Sequence, residues 1–295
     1  MSCAAGVQWG QPMSCAAGVQ WGLSPALRAP CSGRKSLDGG AGRPVDPYRM
    51  DDHALPQQSP PDLPAQARRL LVERFPDALG AVLGGSAARG RARAASDLDL
   101  AVLLPDTDTT RRELIRHEGR LAELFLHTLG DVPDVLEAER EQRRGTMLFI
   151  YGEGLVLDDP HGHLARVRAR SRALLEAGPP ALTSAQWERS RYVATCFLDD
   201  LLDTARDERH EQLATADFLL REASLLLTAH HGAWTGIGRW LPRRLLAADP
   251  DLGAALLDGH LALAERADPQ PLAAAAEKVL ELVGGPLREG YVQVR

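Results

Sequence analysis

Lysine is almost missing from this 295-residue chain: among its 34 Lys and Arg, only Lys35 and Lys278 are lysines. We read that as a compositional bias of the source genome. Positive charge is not in excess either. Asp and Glu number 40 and the formal net charge is −6, so no global positive field favours nucleic acid. Cysteine is scarce. Cys3, Cys15, Cys31 and Cys196 show neither Cys-x-x-Cys pairing nor zinc-ligand spacing, so a buried, unbridged thiol at Cys196 and a reducing, cytoplasmic setting are expected. No apolar run approaches the roughly 18 residues of a membrane span. The N-terminus has no basic start followed by a continuous apolar stretch, so no secretory signal is expected. What remains, 44% hydrophobic and 25% charged, is the balance of a soluble globular protein with room for one large or two ordinary domains.

The chemistry gathers between residues 81 and 104. Two apolar runs, Ala81 to Leu83 and Leu100 to Leu104, are short enough to be buried strands. Between them lie Gly84-Gly85-Ser86, an arginine-rich turn, and then Asp97 and Asp99. Strand side chains alternate faces, so both carboxylates emerge on one side and Leu98 and Leu100 on the other. Two acids about 7 Å apart on a strand edge repel. A divalent metal resolves that repulsion, and Mg²⁺ favours carboxylate oxygens together with substrate phosphates. The glycines let the backbone turn sharply and approach a ligand. Ser86 then stands where a helix would begin, with free N–H groups that attract phosphate.

Gly85-Ser86-Ala87-Ala88-Arg89-Gly90, a spacer, and Ser96-Asp97-Leu98-Asp99-Leu100 together resemble the signature of the DNA polymerase beta-type nucleotidyltransferase superfamily. The nearest flavour is the minimal and antibiotic-modifying (aminoglycoside-like) nucleotidyltransferases. The resemblance implies an α+β fold, with a small mixed-sheet catalytic domain followed by an all-α helical bundle. It also implies a nucleoside triphosphate such as ATP over Gly85 and Ser86, and two Mg²⁺ ions on Asp97 and Asp99. Ser96 and Arg89 fall beside that nucleotide site. Arg89 suits bidentate phosphate binding, or alternatively a surface salt bridge.

Along the chain, residues 1 to 10 recur unchanged at 13 to 22. The repeat is too short for a solenoid unit, and an upstream duplication or a mis-set start, with Met50 as the alternative start, explains it. Residues 1–62 are expected to be a disordered extension, 63–180 the nucleotidyltransferase domain and 181–295 a helical, acceptor-binding domain. Helical spacing runs from about Leu63 to Phe75. A long amphipathic helix is expected from Asp108 to Leu129, with Leu114, Leu121, Leu124, Phe125 and Leu129 inward and His117 and His127 solvated or capping. Val132 to Leu136 reads as a short third strand with its proline at an edge. In the resembling family the corresponding strand carries a third metal carboxylate, and Asp134 is the match; a turn aspartate is the alternative. Glu137 to Tyr151 is expected helical, and Leu155 to Leu157 a strand.

Thr183 or Ser184 should cap a helix carrying Asp199, Asp200 and Asp203. Asp199 and Asp203 share one face. That face is either plain solvated surface or an acidic wall for a cationic acceptor, with Asp199 as a base. Glu222, on the next helix, is a second candidate base. The segment Trp234 to Arg244 mixes aromatics with arginines; in related two-domain enzymes a similar Trp- and basic-containing segment follows a long helix, and Arg239 stands at its usual lysine-like position as a candidate nucleotide contact; a packed connection is the alternative. The expected activity is Mg²⁺-dependent transfer of a nucleoside monophosphate, AMP from ATP, to a hydroxyl of a small, aminoglycoside-like molecule. A protein acceptor, as in toxin–antitoxin-like pairs, and a non-catalytic nucleotide-binding module are the alternatives. No membrane partner is expected, and an anionic polynucleotide would lack a basic track.

Overall fold

The computed structural model describes residues 62–90 and 96–293. The N-terminal extension with its duplicated segment, three of the cysteines and part of the arginine-rich turn lie outside the described residues. All the described residues belong to one compact unit. The chain enters it through α1 (Leu63–Arg74), which begins at a proline-containing turn capped by Asp62, whose side chain accepts from the Ala65 N–H at 3.0 Å.

Five strands form one mixed sheet in the order β3-β4-β2-β1-β5. These are β1 (Gly80–Leu83), β2 (Leu98–Leu104), β3 (Arg111–His117), β4 (Arg120–Thr128) and β5 (Leu155–Asp158). The pair β2/β4 is parallel; β1/β2, β1/β5 and β3/β4 are antiparallel. Alternation sorts the side chains cleanly. Ala81, Leu83, Leu98, Leu100, Val102, Leu104, Ala122, Leu124 and Leu126 pack with α1 on one face. Val82, Ala101 and Leu103 pack on the other, against α3 (Val132–Glu141), α4 (Thr146–Glu153) and α5 (His163–Ala177). A third core belongs to the helices that follow: α6 (Ser184–Asp203), α7 (Arg209–His230), α8 (Leu241–Ala248), α9 (Pro250–Arg266) and α10 (Gln270–Leu282). The α+β reading therefore holds: a five-stranded mixed sheet, then a helical region.

Two expectations fail, for identifiable reasons. Residues 111–128 form a β-hairpin, not a helix. Glu118 (φ 48°) and Gly119 (φ 78°) both adopt positive φ between the paired His117 and Arg120, the two-residue turn that matches strand twist. A glycine inside a helix costs about 1 kcal/mol, whereas in this turn its freedom is needed. His127 is consequently a buried strand residue, not a solvated one. Second, Val132–Leu136 is the start of α3, because Pro133 sits in the first turn, where its missing N–H has no cost. Cys196 is only half-buried. Thr183 does cap α6, in a reciprocal capping box with Gln186.

The loop before α4 ties the halves together. Arg143 is buried, and its guanidinium donates to the carbonyls of Pro180 and Ala233 (3.3 Å), while its own carbonyl accepts from the Thr235 N–H at 2.8 Å. Trp234 packs beside it, edge-on to Phe149. Among the described residues no helix is long and apolar enough to cross a membrane.

Candidate active site

The Gly84-Gly85-Ser86 turn leaves β1 and meets the start of β2. The Gly84 N–H donates to the Asp99 carbonyl at 2.7 Å. Gly85 has φ +62°, and a Cβ there would collide with Asp99 Oδ2. Only glycine therefore allows the carboxylate to lie against the turn. The helix expected after Ser86 is a single turn, α2 (Gly85–Ala88), so contacts to the turn matter there, not a helix dipole. Ser86 Oγ is buried with no hydrogen-bond partner, a costly state that an incoming acceptor oxygen would relieve.

A further carboxylate comes from the hairpin. In the parallel register of β2 and β4, Asp99 lies opposite Glu123. Glu123, Phe125 and His127 occupy alternate positions of β4 and all three line the same cleft as Asp99. Burial first, then the Asp97 and Glu123 carboxylates, push Asp99 up to about 6, against the pull of Arg239 and Arg112. Asp97 stands half-buried just before β2. Arg112 from β3 grips Glu123, with its Nε 2.6 Å from Oε1, and covers the Phe125 ring. His127 Nδ1 is 2.8 Å from the Tyr151 hydroxyl; burial pushes the imidazole down to about 4, so it is neutral at physiological pH, and burial raises the phenol.

The cleft encloses about 1240 Å³ between the sheet, the α3–α4 loop and the segment leading into α8. Gly85, Ser86, Arg89, Ser96, Asp99 and Arg239 line it. Asp134, Asp199 and Glu222 do not, and neither does Asp97, which stands just before β2 near enough for its charge to act on Asp99. Asp134 is exposed in the first turn of α3. Asp199 is ion-paired with Arg288 at 2.7 Å on the surface. Glu222 is half-buried beside Arg189 and Ser190, and its pKa is raised by burial. Glu123, overlooked from sequence, would have followed from reading Glu118-Gly119 as a hairpin turn and counting the alternation forward.

Whether a metal suits these residues can be judged from the donors. Asp97, Asp99 and Glu123 offer only hard carboxylate oxygens, and the raised Asp99 is a negative site wanting a cation. Among the described residues no three His, Cys, Asp or Glu are drawn together into a finished metal cage. Mg²⁺ seldom uses one; it keeps waters and shares substrate phosphates. The donor set fits on those terms.

Residues 65–144 match the family model described as a nucleotidyltransferase domain. The chain is also similar to a solved nucleotidyltransferase-like protein from Exiguobacterium sibiricum 255-15, at 17% identity and a TM-score of 0.39, with 75% of this chain and 74% of that chain covered. No curated protein matches the chain. The matched segment contains the turn, Asp97, Asp99 and Glu123, so the enzymatic chemistry housed here is nucleotidyl transfer.

Proposed function

We propose that this cleft transfers a nucleoside monophosphate, AMP from ATP, to a hydroxyl acceptor, with Mg²⁺ held by Asp97, Asp99 and Glu123. The observation that carries the proposal is the seating of Asp99 against Gly85, which brings a carboxylate and a phosphate-binding turn to one point. Glu123 replaces Asp134 as the third carboxylate because it faces Asp99 across the parallel strand pair, while Asp134 points to none of the cleft.

Ser86 Oγ and the backbone of the turn receive the triphosphate, and Arg239, close enough to lower the Asp99 pKa, balances charge beside it. When bound, the cation would screen the carboxylates from the phosphates and stabilise charge on the attacking and leaving oxygens. The acceptor hydroxyl oxygen bonds to the α-phosphorus in line as the bond from that phosphorus to the bridging oxygen breaks. Pyrophosphate departs with the electron pair, and the hydroxyl proton passes to the carboxylate cluster and on to water.

A cationic, aminoglycoside-like acceptor finds little to bind. The acidic residues expected on α6 do not reach the cleft, whose lining holds seven arginines against the carboxylates of Asp99, Glu123 and Glu139.

Incubation of the full chain with Mg²⁺ and labelled ATP across small-molecule and protein acceptors tests the reading. Release of pyrophosphate that needs the divalent ion and vanishes in Asp97→Asn is expected. ATP binding with no pyrophosphate release from any acceptor would leave only a nucleotide-binding module, and label on a protein would identify the toxin-like alternative.

A further inference from the structure

Charge in the cleft exceeds what a triphosphate requires. Arg89, Arg144, Arg239, Arg243 and Arg244 line it, and among the described residues none of the five forms an ion pair with a carboxylate. A triphosphate carrying two divalent ions is nearly electroneutral, and Glu123 is already matched by Arg112. Asp97, Asp99 and Glu139 can offset three of the five arginines, which still leaves a surplus.

The surplus is organised. The guanidinium carbons of Arg89, Arg243 and Arg244 lie 4.6, 4.9 and 5.4 Å from the centre of the Trp240 ring, and Arg244 lies 3.6 Å from that of Phe149. Contact with a ring face positions a cation without neutralising it. Three like charges around one indole therefore repel. Burial lowers the Arg244 pKa, opposed by the Glu153 carboxylate and reinforced to a lesser degree by Arg89. Arg89 follows the phosphate-binding turn, whereas Arg243 and Arg244 belong to α8, so the group spans the cleft from the sheet to the helical region.

We propose that Arg243 and Arg244, with Arg89 facing them around Trp240, form a second anion subsite that holds a phosphomonoester on the acceptor. The acceptor is then a phosphorylated small molecule bearing a free hydroxyl, not a polycation. Planar guanidinium groups suit the geometry of a phosphate dianion. The proposal rests on the nucleotidyl-transfer reading above and leaves its chemistry unchanged. The acceptor's free hydroxyl oxygen displaces pyrophosphate to form a phosphodiester, and its phosphomonoester takes no part in bond making. A net charge of −6 over the whole chain disfavours an extended polyanion such as nucleic acid.

Calorimetric titration of the full chain with inorganic phosphate and with glucose 6-phosphate, against glucose and kanamycin, is the test. Each titration is run without nucleotide and again with saturating Mg²⁺ and a non-hydrolysable ATP analogue. Both phosphates should bind under both conditions, about tenfold more weakly to Arg243→Gln/Arg244→Gln, while the analogue's affinity changes less than threefold. The exposed Arg243→Gln alone, with a melting curve, guards against a folding defect in the double variant. Loss of phosphate binding once the analogue saturates would assign these arginines to the triphosphate and overturn the proposal. So would binding of kanamycin in preference to glucose 6-phosphate, tighter arginine-dependent binding of a short oligonucleotide, or no phosphate binding at all. Failure of the analogue itself to bind would reject the nucleotidyl-transfer reading, whereas the nucleotide-free titration would still report on the arginines.

Discussion

Charged groups are used differently in the helical region and in the cleft. In the helices they close structural gaps. Arg209 donates to the carbonyls of Leu263 and Ala264 at the end of α9, Arg191 does the same for Gly284 and Gly285 beyond α10, and Asp217 pairs with Arg221 one turn along α7. In the cleft, Asp99 sits among carboxylates, Ser86 Oγ and Glu139 Oε2 are buried without partners, and among the described residues five lining arginines make no direct ion pair. Leaving polar groups unpaired is costly, and the helical region bears some of that cost too, at Gln212 Nε2 and Glu222 Oε2. What sets the cleft apart is its gathering of like charges, carboxylates around Asp99 and arginines around Trp240.

The contrast breaks most sharply at the acid. Asp99→Asn should lower the rate of pyrophosphate release by about 10³-fold or more, because it removes charge from the reacting centre; a loss of less than tenfold would separate Asp99 from the chemistry. Gly85→Ala should follow at about 10²-fold, with roughly 1–3 kcal/mol lost in denaturant unfolding, since the new methyl meets Asp99 Oδ2 and φ is positive. Glu123→Gln should lower turnover about 10²-fold while Asp134→Asn stays within twofold, and the reverse order would restore Asp134 as the third ligand.

Stability against pH sharpens the comparison without any substrate. Asp99 has its pKa raised from 3.8 to about 6, so the folded state keeps a proton that the unfolded chain has released. Stability contributed by the protonated acid is full below pH 3.8 and declines as pH rises toward 6. In a chelating buffer above pH 6, Asp99→Asn should melt higher than the parent by up to about 3 kcal/mol equivalent, and the two should converge below pH 4. Mg²⁺ should narrow that gap by stabilising the parent alone. His127, lowered to about 4 by burial, acts with the opposite sign, costing stability as pH falls from 6.5 toward 4. The smallest effect belongs to the helical region: Asp199→Asn breaks an exposed pair and should change stability by less than about 1 kcal/mol and activity not at all.

Local signals are legible in the sequence. The glycine-serine turn, the two strands around it, α1 and the Thr183 cap each depend on residues within a few positions of one another. Residues 111–128 are ambiguous in sequence because Leu121, Leu124 and Phe125 satisfy helical spacing as well as they do a strand, and the deciding residue is a single glycine, Gly119. Glu123 becomes legible only once that hairpin is known, and no local signal sets it apart from Asp134. The arginine group around Trp240 joins Arg89 to residues about 150 positions later, and no spacing rule reaches so far. Asp199 and Glu222 show the converse: acidic residues on a helix look alike in sequence whether they meet a substrate, an arginine or a serine.

Arg143 takes no part in the chemistry, yet its buried side chain and backbone bind the α3–α4 loop, the segment before α6 and the segment before α8 into a single knot. Two of those strips of chain form walls around the substrates. Width at the mouth is thereby fixed at a distance from the reacting atoms, and loosening one guanidinium would let both walls drift apart while every catalytic side chain stayed in place.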